Sequence, residues 1–365
     1  VLQLICDLQE ALAEIAGFER VALQPAAGAQ GELTALLMVR AYNDLRGEGQ
    51  RDVVLIPDSA HGTNPASATM AGYIAVEVPS DARGNVDIEA VRAACDDRLA
   101  CIMLTNPNTL GLFEEHIGEL VDLVHGCGGL VYGDGANLNA LTGIVRPGDL
   151  GIDLMHFNLH KTFATPHGGG GPGAGPVGAS AALAPFLPGP LVERVRDGDA
   201  GDTFTFAMSE HSIGRMVAFH GNVAMFVRAW AYVRRLGAAG LREAAMHAVL
   251  NANDLKARIG DDYRVPFARI CMHEFVCEGT PEGTTVRAID VSKRLMDFGF
   301  HPPTNYFPLN VREALMIEPT ETEDKATLDA FAAALVRIAE EARSEPDILH
   351  EAPNETSVRR LDEVK

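Results

Sequence analysis

The chain is poor in the features that mark nucleic-acid binders and membrane proteins. Of its 365 residues, 30 are Lys or Arg and 50 are Asp or Glu, which gives a formal net charge of −20. Such an acidic excess argues against binding to nucleic-acid phosphates or to an anionic membrane surface. No apolar run is long enough to cross a bilayer, and the N-terminus lacks the basic-then-apolar pattern of a signal peptide. Small molecules and protein partners are the expected ligands.

Cysteine is also sparse. None of the six cysteines forms a CxxC pair, and several lie in apolar runs, as buried free thiols do. Cys271, His273 and Cys277 resemble a metal cluster, but the alternation around them favours a strand and the paired zinc spacing is missing, so we expect no metal there. These thiols favour a reducing, cytoplasmic location. Because the chain starts at Val1 and not at Met, we expect a trimmed chain or a fragment.

Several common catalytic motifs are absent. The sequence has no GxxxxGK[ST], no HExxH, no GxSxG, and no GxGxxG between the first strand and its helix. These absences argue against a nucleotide P-loop, a zinc protease of that type, a nucleophile elbow and a dinucleotide fingerprint.

What the sequence does contain is a regular alternation of apolar strands and helices. An N-terminal amphipathic helix (2–17), a short strand (20–24) and a helix ending near Leu45 come first. Strands are then predicted at Val53–Ile56, Ile74–Val78, Cys101–Thr105, Gly129–Tyr132 and Leu154–Phe157, with helices at Pro65–Ala71, Ile88–Ala94 and Glu114–Gly126 between them. This pattern predicts a mainly parallel sheet covered on both faces, with ligands at the carboxyl ends of its strands.

The pattern changes in the last third of the chain. Residues 207–262 are predicted to be largely helical, and a strand–helix–strand–helix pattern follows. We therefore predict a large α/β domain over 1–262, a small α+β domain over 263–345, and a loose polar tail over 346–365.

One lysine is the first candidate for chemistry. Lys161 lies between an apolar strand and a glycine-rich stretch, Pro166–Gly173. A lysine at the exit of a buried strand can be desolvated and used as an amine nucleophile, which suggests a Schiff-base lysine. The alternative is an ordinary strand-end lysine that reaches solvent, which is the commoner case for a single Lys.

Three further features at strand ends favour the catalytic interpretation of Lys161. A pyridoxal phosphate (PLP) site needs a lysine, a carboxylate beside the ring nitrogen, a flat group against the ring and backbone donors for the phosphate. Lys161, Asp134, His61 and the turn Gly28-Ala29-Gln30 supply these in a plausible order. Each has another interpretation: Asp134 as a turn cap, His61 as a core histidine, the Gly28 turn as packing alone. Four matching roles favour the PLP interpretation.

At these residues the sequence resembles the P-protein family of the glycine cleavage system, glycine dehydrogenase (decarboxylating). The matching blocks are Gln24–Glu32, Ser59–Ser67, Asp134–Asn137, Asn158–Phe163, Pro166–Gly173 and Leu315–Thr320. The resemblance implies the fold-type I architecture of aspartate aminotransferase relatives, α/β with a mainly parallel sheet and a small C-terminal α+β domain. The ending Ser357–Val364 resembles the split form, which implies a homologous subunit 1 and a heterotetramer.

The resemblance also implies roles for individual residues. Lys161 would form the Schiff base with PLP, Asp134 would pair with the pyridine nitrogen, and His61 would stack on the ring. Residues expected near the cofactor are Gly28, Ala29, Gln30, Ala136, His160 and Thr162. The implied reaction is decarboxylation of glycine, with release of CO2 and transfer of the aminomethyl group to the lipoamide of H-protein.

Two alternatives stay open. The first is another fold-type I enzyme that acts on a small amino acid, such as an aldolase or a desulfurase; no cysteine lies on an obvious substrate-facing loop, which weakens the desulfurase version. The second is a PLP-binding subunit that is catalytically silent. The intact pair Lys161 and Asp134 argues against it, because a silent subunit has no need of an electron sink.

Overall fold

The computed structural model of the chain describes residues 1–167, 171–196 and 201–361. These divide into two compact units, Val1–Asn108 with Glu114–Ala244, and Thr109–Phe113 with Ala245–Lys365. The division falls earlier in the chain than the domain boundary predicted after residue 262, which stays a prediction. Part of the glycine-rich stretch (168–170) and the last residues of the tail (362–365) lie outside the described residues.

The first unit is built on a seven-stranded sheet. Its strands are β1 Arg20–Ala22, β2 Val53–Pro57, β3 Ile74–Val78, β4 Leu99–Thr105, β5 Leu130–Gly135, β6 Leu154–Phe157 and β7 Val177–Ala179. They lie in the order β1-β7-β6-β5-β4-β2-β3, with β6 to β3 parallel and β7 antiparallel to both of its neighbours. The prediction of a mainly parallel sheet is confirmed. The strands β4, β5 and β6 are buried along their whole length, as the continuous apolar runs predict.

Helices and one hairpin complete this unit. The helices are α1 Leu2–Ala16, α2 Gly28–Leu45, α3 Thr63–Met70, α4 Ile88–Ala94, α5 Ile117–Gly126 and α6 Leu159–Thr162. A long helical run, α7 Val223–Ile259, begins in this unit, continues past Ala244 into the second, and is interrupted at Gly237, which has φ 61°. It starts later than the predicted helical region beginning at 207, because an unpredicted hairpin, β8 Leu191–Arg196 with β9 Asp202–Ala207, ends there and an irregular stretch follows it.

The second unit contains a small antiparallel sheet and its helices. The strands β10 Phe275–Glu278, β11 Thr304–Asn305 and β12 Ala314–Ile317 lie in the order β10-β12-β11. The helices are α8 Ala288–Asp297, α9 Lys325–Ser344 and α10 Asp347–His350. The prediction of a small C-terminal α+β fold is confirmed.

The end of the chain is more ordered than expected. Leu349 in α10 and Ala352 after it are fully buried. The backbone amides of Asn354 and Glu355 donate to Oδ1 of Asp297 at 2.7 and 2.8 Å. The prediction of a loose tail is therefore wrong for residues 346 to 355, because Leu349 joins the core of the second unit, Ala352 is also buried, and the carboxylate of Asp297 holds the following turn.

Two further observations concern the whole described chain. All six cysteines are free thiols. Over the residues that the structure describes, we find no helix with both the length and the apolar character needed to cross a membrane.

Candidate active site

The carboxyl end of β5 carries the buried carboxylate of Asp134, which is 4% exposed. In the sheet, Asp134 pairs with Thr105 of β4 on one side and with His156 of β6 on the other. Its Oδ1 atom accepts a hydrogen bond from the backbone N–H of Ala136 at 2.9 Å and lies 3.5 Å from Nε2 of His156. Within the part of the chain that the structure describes, both contacts use Oδ1, which leaves Oδ2 for a further donor.

Directly beside this carboxylate lies a histidine that was not predicted from the sequence as a site residue. The ring of His156 is 1% exposed, and its Nδ1 lies 2.5 Å from the hydroxyl of Tyr132. Its Nε2 lies 2.9 Å from Nδ2 of Asn158. Burial lowers the pKa of His156, against the opposing effect of Asp134. A neutral His156 therefore lies beside Asp134 without adding a charge.

Lys161 follows β6 within the short helix α6. Its backbone N–H donates to the carbonyl of Asn158 at 3.0 Å. The Lys161 side chain is exposed, so the strand exit does not bury it in this structure. Its positive charge nevertheless acts on the buried Glu32 and His156.

The N-terminus of α2 lies against the same strand. A Cβ atom added at Gly28 would come within 2.4 Å of Oδ1 of Asn158 and 3.2 Å of Nε2 of His156, so only glycine permits this approach. The N–H of Gly31 donates to the carbonyl of Ala27 at 3.0 Å and is the first bond of the helix. The N–H groups of Gly28, Ala29 and Gln30 precede it and point out of the first turn, an arrangement that suits an anion.

Gln30 contributes through its backbone, because its side chain is already engaged. Its Oε1 accepts a hydrogen bond from the N–H of Ala26 at 2.7 Å, and its Nε2 donates to the carbonyl of Met216 at 3.2 Å. The side chain therefore braces the turn that leads into α2.

His61 lies after β2, at the turn into α3, and its side chain is exposed. Its Nδ1 lies 2.8 Å from the hydroxyl oxygen of Thr63, and that oxygen lies 2.7 Å from Oε1 of Glu32 in α2. Glu32 in turn interacts electrostatically with Asp134 and Lys161. The structure therefore places His61, Asp134, Lys161 and the start of α2 at one end of the sheet.

Two other predicted residues have partners of their own. His160 is half-buried, and Nδ1 of its ring accepts from the N–H of Ala174 at 3.4 Å. Burial, followed by the neighbouring His167 and Lys161, lowers the pKa of His160 to about 4. The hydroxyl of Thr162 donates to Oδ1 of Asn139. His160 therefore contacts the chain segment that follows Pro172, and Thr162 contacts the turn that contains Asn139.

Comparison with known sequences assigns the family. The chain is 55% identical over its full length to probable glycine dehydrogenase (decarboxylating) subunit 2 of Staphylococcus haemolyticus, covering 73% of that protein. It is also 55% identical to the protein of the same description from Caldanaerobacter subterraneus subsp. tengcongensis, covering 74% of it. The chain belongs to the glycine dehydrogenase (decarboxylating) subunit 2 family. The resemblance inferred from the motifs is confirmed.

A family model described as "Glycine dehydrogenase, C-terminal domain" matches residues 244–357 of this family member. The match begins where the second compact unit begins. The sequence that defines this family domain therefore corresponds to the small α+β unit together with the second part of α7.

Solved structures confirm the fold-type I architecture of this glycine dehydrogenase family member. A crystal structure of glycine decarboxylase (P-protein) of the glycine cleavage system, in an inhibitor-bound form, matches with a TM-score of 0.78 and 23% identity, covering 92% of this chain and 76% of that one. A sphingosine-1-phosphate lyase from Burkholderia pseudomallei matches with a TM-score of 0.70 and 18% identity, covering 94% and 78%.

The residues of this family member fit a PLP molecule. Oδ2 of Asp134 is open to a ring N–H, the first turn of α2 offers three N–H groups, and the Lys161 amine is exposed. The hydroxyl of Thr105, beside Asp134 in the sheet, is buried and has no hydrogen-bond partner within the described ranges. Buried polar groups are normally satisfied, so this hydroxyl is available to a polar ligand atom.

Proposed function

We propose that this chain binds PLP at the site around Lys161 and Asp134 and decarboxylates glycine. Its family membership makes it part of a glycine dehydrogenase (decarboxylating). The aminomethyl group that remains after CO2 leaves passes to the oxidised lipoamide of a lipoylated H-protein: one sulfur of the disulfide bonds to the aminomethyl carbon, and the other takes the electron pair of the broken S–S bond and a proton. When bound, PLP supplies an electron sink for the electron pair that stays on the α carbon of glycine.

The observation that carries this proposal is the position of Asp134. Its carboxylate is buried at the carboxyl end of β5, with one oxygen held by Ala136 and the other open. An ionised carboxylate at this position keeps a proton on a pyridine nitrogen that contacts it. Loss of that proton would leave the buried carboxylate without an opposite charge, which is costly. The proton on the nitrogen is what makes the ring an effective electron sink.

Each of the other residues has a separate task. Lys161 would hold the aldehyde carbon of PLP through its amine. The N–H groups of Gly28, Ala29 and Gln30 would bind the phosphate, with the positive end of the α2 dipole behind them. His61 would cover one face of the ring. Ala136 orients Asp134, and His156 lies beside the carboxylate within the sheet.

We infer the partners from the family. The relatives are described as subunit 2, which implies a subunit 1, and we propose that the two homologous subunits form a heterotetramer. Glycine and lipoylated H-protein are the proposed reaction partners. A cytoplasmic location stays a prediction, which fractionation of cells that produce the tagged chain can test.

Exchange of isotopic bicarbonate into the carboxyl carbon of glycine tests the proposal. The assay combines the chain with PLP, subunit 1 and lipoylated H-protein. We expect exchange with the unchanged chain and none above background with Lys161→Ala. Lys325→Ala is the matched control, because it removes an exposed lysine that pairs only with Asp329 on the surface of α9.

The same assay separates the alternatives. Bound PLP without any exchange, with both partners present, would identify a catalytically silent subunit. Release of an aldehyde from a β-hydroxy amino acid in place of exchange would identify an aldolase. Either result would overturn the proposed reaction.

A further inference from the structure

A buried carboxyl lies behind the residue proposed to cover the cofactor ring. Glu32, in the second turn of α2, is 3% exposed. Its Oε1 lies 2.7 Å from the hydroxyl oxygen of Thr63, and its Oε2 accepts from the hydroxyl of Ser67 at 3.0 Å. Both hydroxyls belong to α3, so Glu32 joins the two helices that follow the first two strands.

Thr63 connects this carboxyl to the His61 ring. The backbone N–H of Thr63 lies 3.2 Å from Nδ1 of His61, and the Thr63 hydroxyl oxygen lies 2.8 Å from the same nitrogen. A backbone N–H can only donate, so Nδ1 is an acceptor and the ring proton of the neutral imidazole is on Nε2. The distances therefore select one of the two tautomers of His61.

The single proton of the Thr63 hydroxyl then fixes the state of Glu32. If this hydroxyl donates to Nδ1 of His61, it has to accept from Glu32 across the 2.7 Å contact. Only a protonated carboxyl can donate there. All three contacts are satisfied together when Glu32 carries a proton.

The surroundings of Glu32 favour that protonated form. Burial raises the pKa of Glu32 to about 7, and the negative charge of Asp134 on β5 adds to the effect. Hydrogen bonds from Thr63 and Ser67 on α3, and the positive charge of Lys161 on α6, oppose it. The hydroxyl of Tyr132 on β5 also interacts electrostatically with Glu32.

We propose that Glu32 is a positioning residue that acts through Thr63 to hold the His61 ring in place, because a protonated Glu32 leaves the Thr63 hydroxyl free to donate to Nδ1 beside the Thr63 N–H. The proposal rests on the proposed function only in that His61 covers the ring of PLP. When Glu32 loses its proton, the Thr63 hydroxyl turns towards the carboxylate, and Nδ1 of His61 loses one of its two donors from Thr63. The orientation of the His61 ring is therefore linked to a carboxyl that does not touch the cofactor.

Nitrogen NMR of the full chain, 15N-labelled at histidine and free of PLP, tests this link directly. The resonances of His61 are assigned by their loss in His61→Gln. The chains are compared at pH 8.5, where an imidazole of ordinary pKa is neutral and Glu32, whose pKa is raised to about 7, is ionised. We expect the Nδ1 resonance of His61 at this pH to be the same in the unchanged chain and in Thr63→Val, because in both the backbone N–H of residue 63 donates to Nδ1 and no hydroxyl does.

Two further variants sharpen the test. Glu32→Gln keeps an N–H donor towards Thr63 but cannot ionise, so at pH 8.5 we expect its Nδ1 resonance to move to the position of a nitrogen with two donors, and adding Thr63→Val should reverse that move. Ser67→Ala removes a hydrogen bond that lowers the pKa of Glu32, so at pH 8.5 it should move the resonance in the same direction as Glu32→Gln. An Nδ1 resonance at pH 8.5 that is the same in the unchanged chain and in Glu32→Gln would overturn the proposal.

The PLP-free measurement also separates this inference from the proposed function. Failure of the chain to bind PLP, measured by titration of its absorbance, would contradict the proposed function and leave the NMR result standing. If the chain binds PLP normally but the nitrogen resonances of His61 do not respond to the substitutions at Glu32 and Thr63, the positioning role alone is contradicted.

Discussion

Replacing Glu32 by glutamine should change how the stability of the chain depends on pH. The pKa of Glu32 rises from 4.5 to about 7 in the folded chain, chiefly because the carboxyl is buried between α2 and α3. Folding therefore favours the protonated form. The stability linked to this proton is fully present below pH 4.5 and is lost as the pH rises through about 7.

The size of the effect follows from the two pKa values. The shift is about 2.5 pKa units, and each unit corresponds to about 1.4 kcal/mol. Since the carboxyl of the unfolded chain is already partly ionised at pH 5, the part of the loss that falls between pH 5 and pH 8 is about 2 kcal/mol. Glutamine has nearly the same shape and does not titrate, so it removes this loss.

Guanidinium chloride unfolding at pH 5 and pH 8 measures the difference. Relative to Glu32→Gln, the unchanged chain should be less stable at pH 8 than at pH 5 by about 2 kcal/mol. Glu89→Gln, which removes an exposed carboxyl of α4, is the matched control and should leave the pH dependence as it is. Parallel pH profiles for the unchanged chain and Glu32→Gln would refute the assignment of a buried, protonated Glu32.

Three further substitutions test other parts of the structure. Gly28→Ala places a Cβ 2.4 Å from Oδ1 of Asn158, so it should weaken PLP binding in an absorbance titration and destabilise the chain by about 1–3 kcal/mol, whereas Gly62→Ala, with nothing within 4 Å, should do neither. Asp134→Asn should keep PLP bound but lower bicarbonate exchange about 10²-fold or more, because an amide does not hold the ring proton; unchanged exchange would contradict the role of Asp134. Arg294→Met leaves the buried Glu341 with one ion-pair partner fewer and should lower the free energy of unfolding by about 3 kcal/mol, measured by denaturant unfolding; an unchanged midpoint would contradict it.

The fold was predictable where the sequence repeats a simple pattern. The strands β4, β5 and β6 are continuous apolar runs followed by helices, and this pattern alone indicates a parallel sheet. The hairpin of β8 and β9 was missed because most of its side chains are exposed or half-exposed, so no apolar run marks it. The ordered end of the chain was missed because its few buried side chains, Leu349, Ala352 and Pro353, stand among polar residues.

The candidate site was predictable to a similar degree. Asp134 and Lys161 were selected because PLP chemistry demands their residue types at neighbouring strand ends. Glu32 and His156 were not selected, because their roles come from contacts that no local sequence pattern shows. Glu32 contacts Thr63, which is 31 residues away in the sequence, and His156 contacts Tyr132, which is 24 residues away. The local sequence shows Glu32 merely as a charged residue in the second turn of a helix. Its burial depends on how the helices pack together and cannot be seen in the sequence.

Lys161 is the residue that we propose carries the cofactor, and chemical reduction of the bound cofactor tests this proposal most directly. Borohydride treatment of the PLP-loaded chain fixes the cofactor on its lysine, and mass spectrometry of the peptides locates it. We predict a single labelled peptide that contains Lys161, with no label in Lys161→Ala. Label on Lys256 or Lys293, or an equally labelled Lys161→Ala variant, would contradict the account.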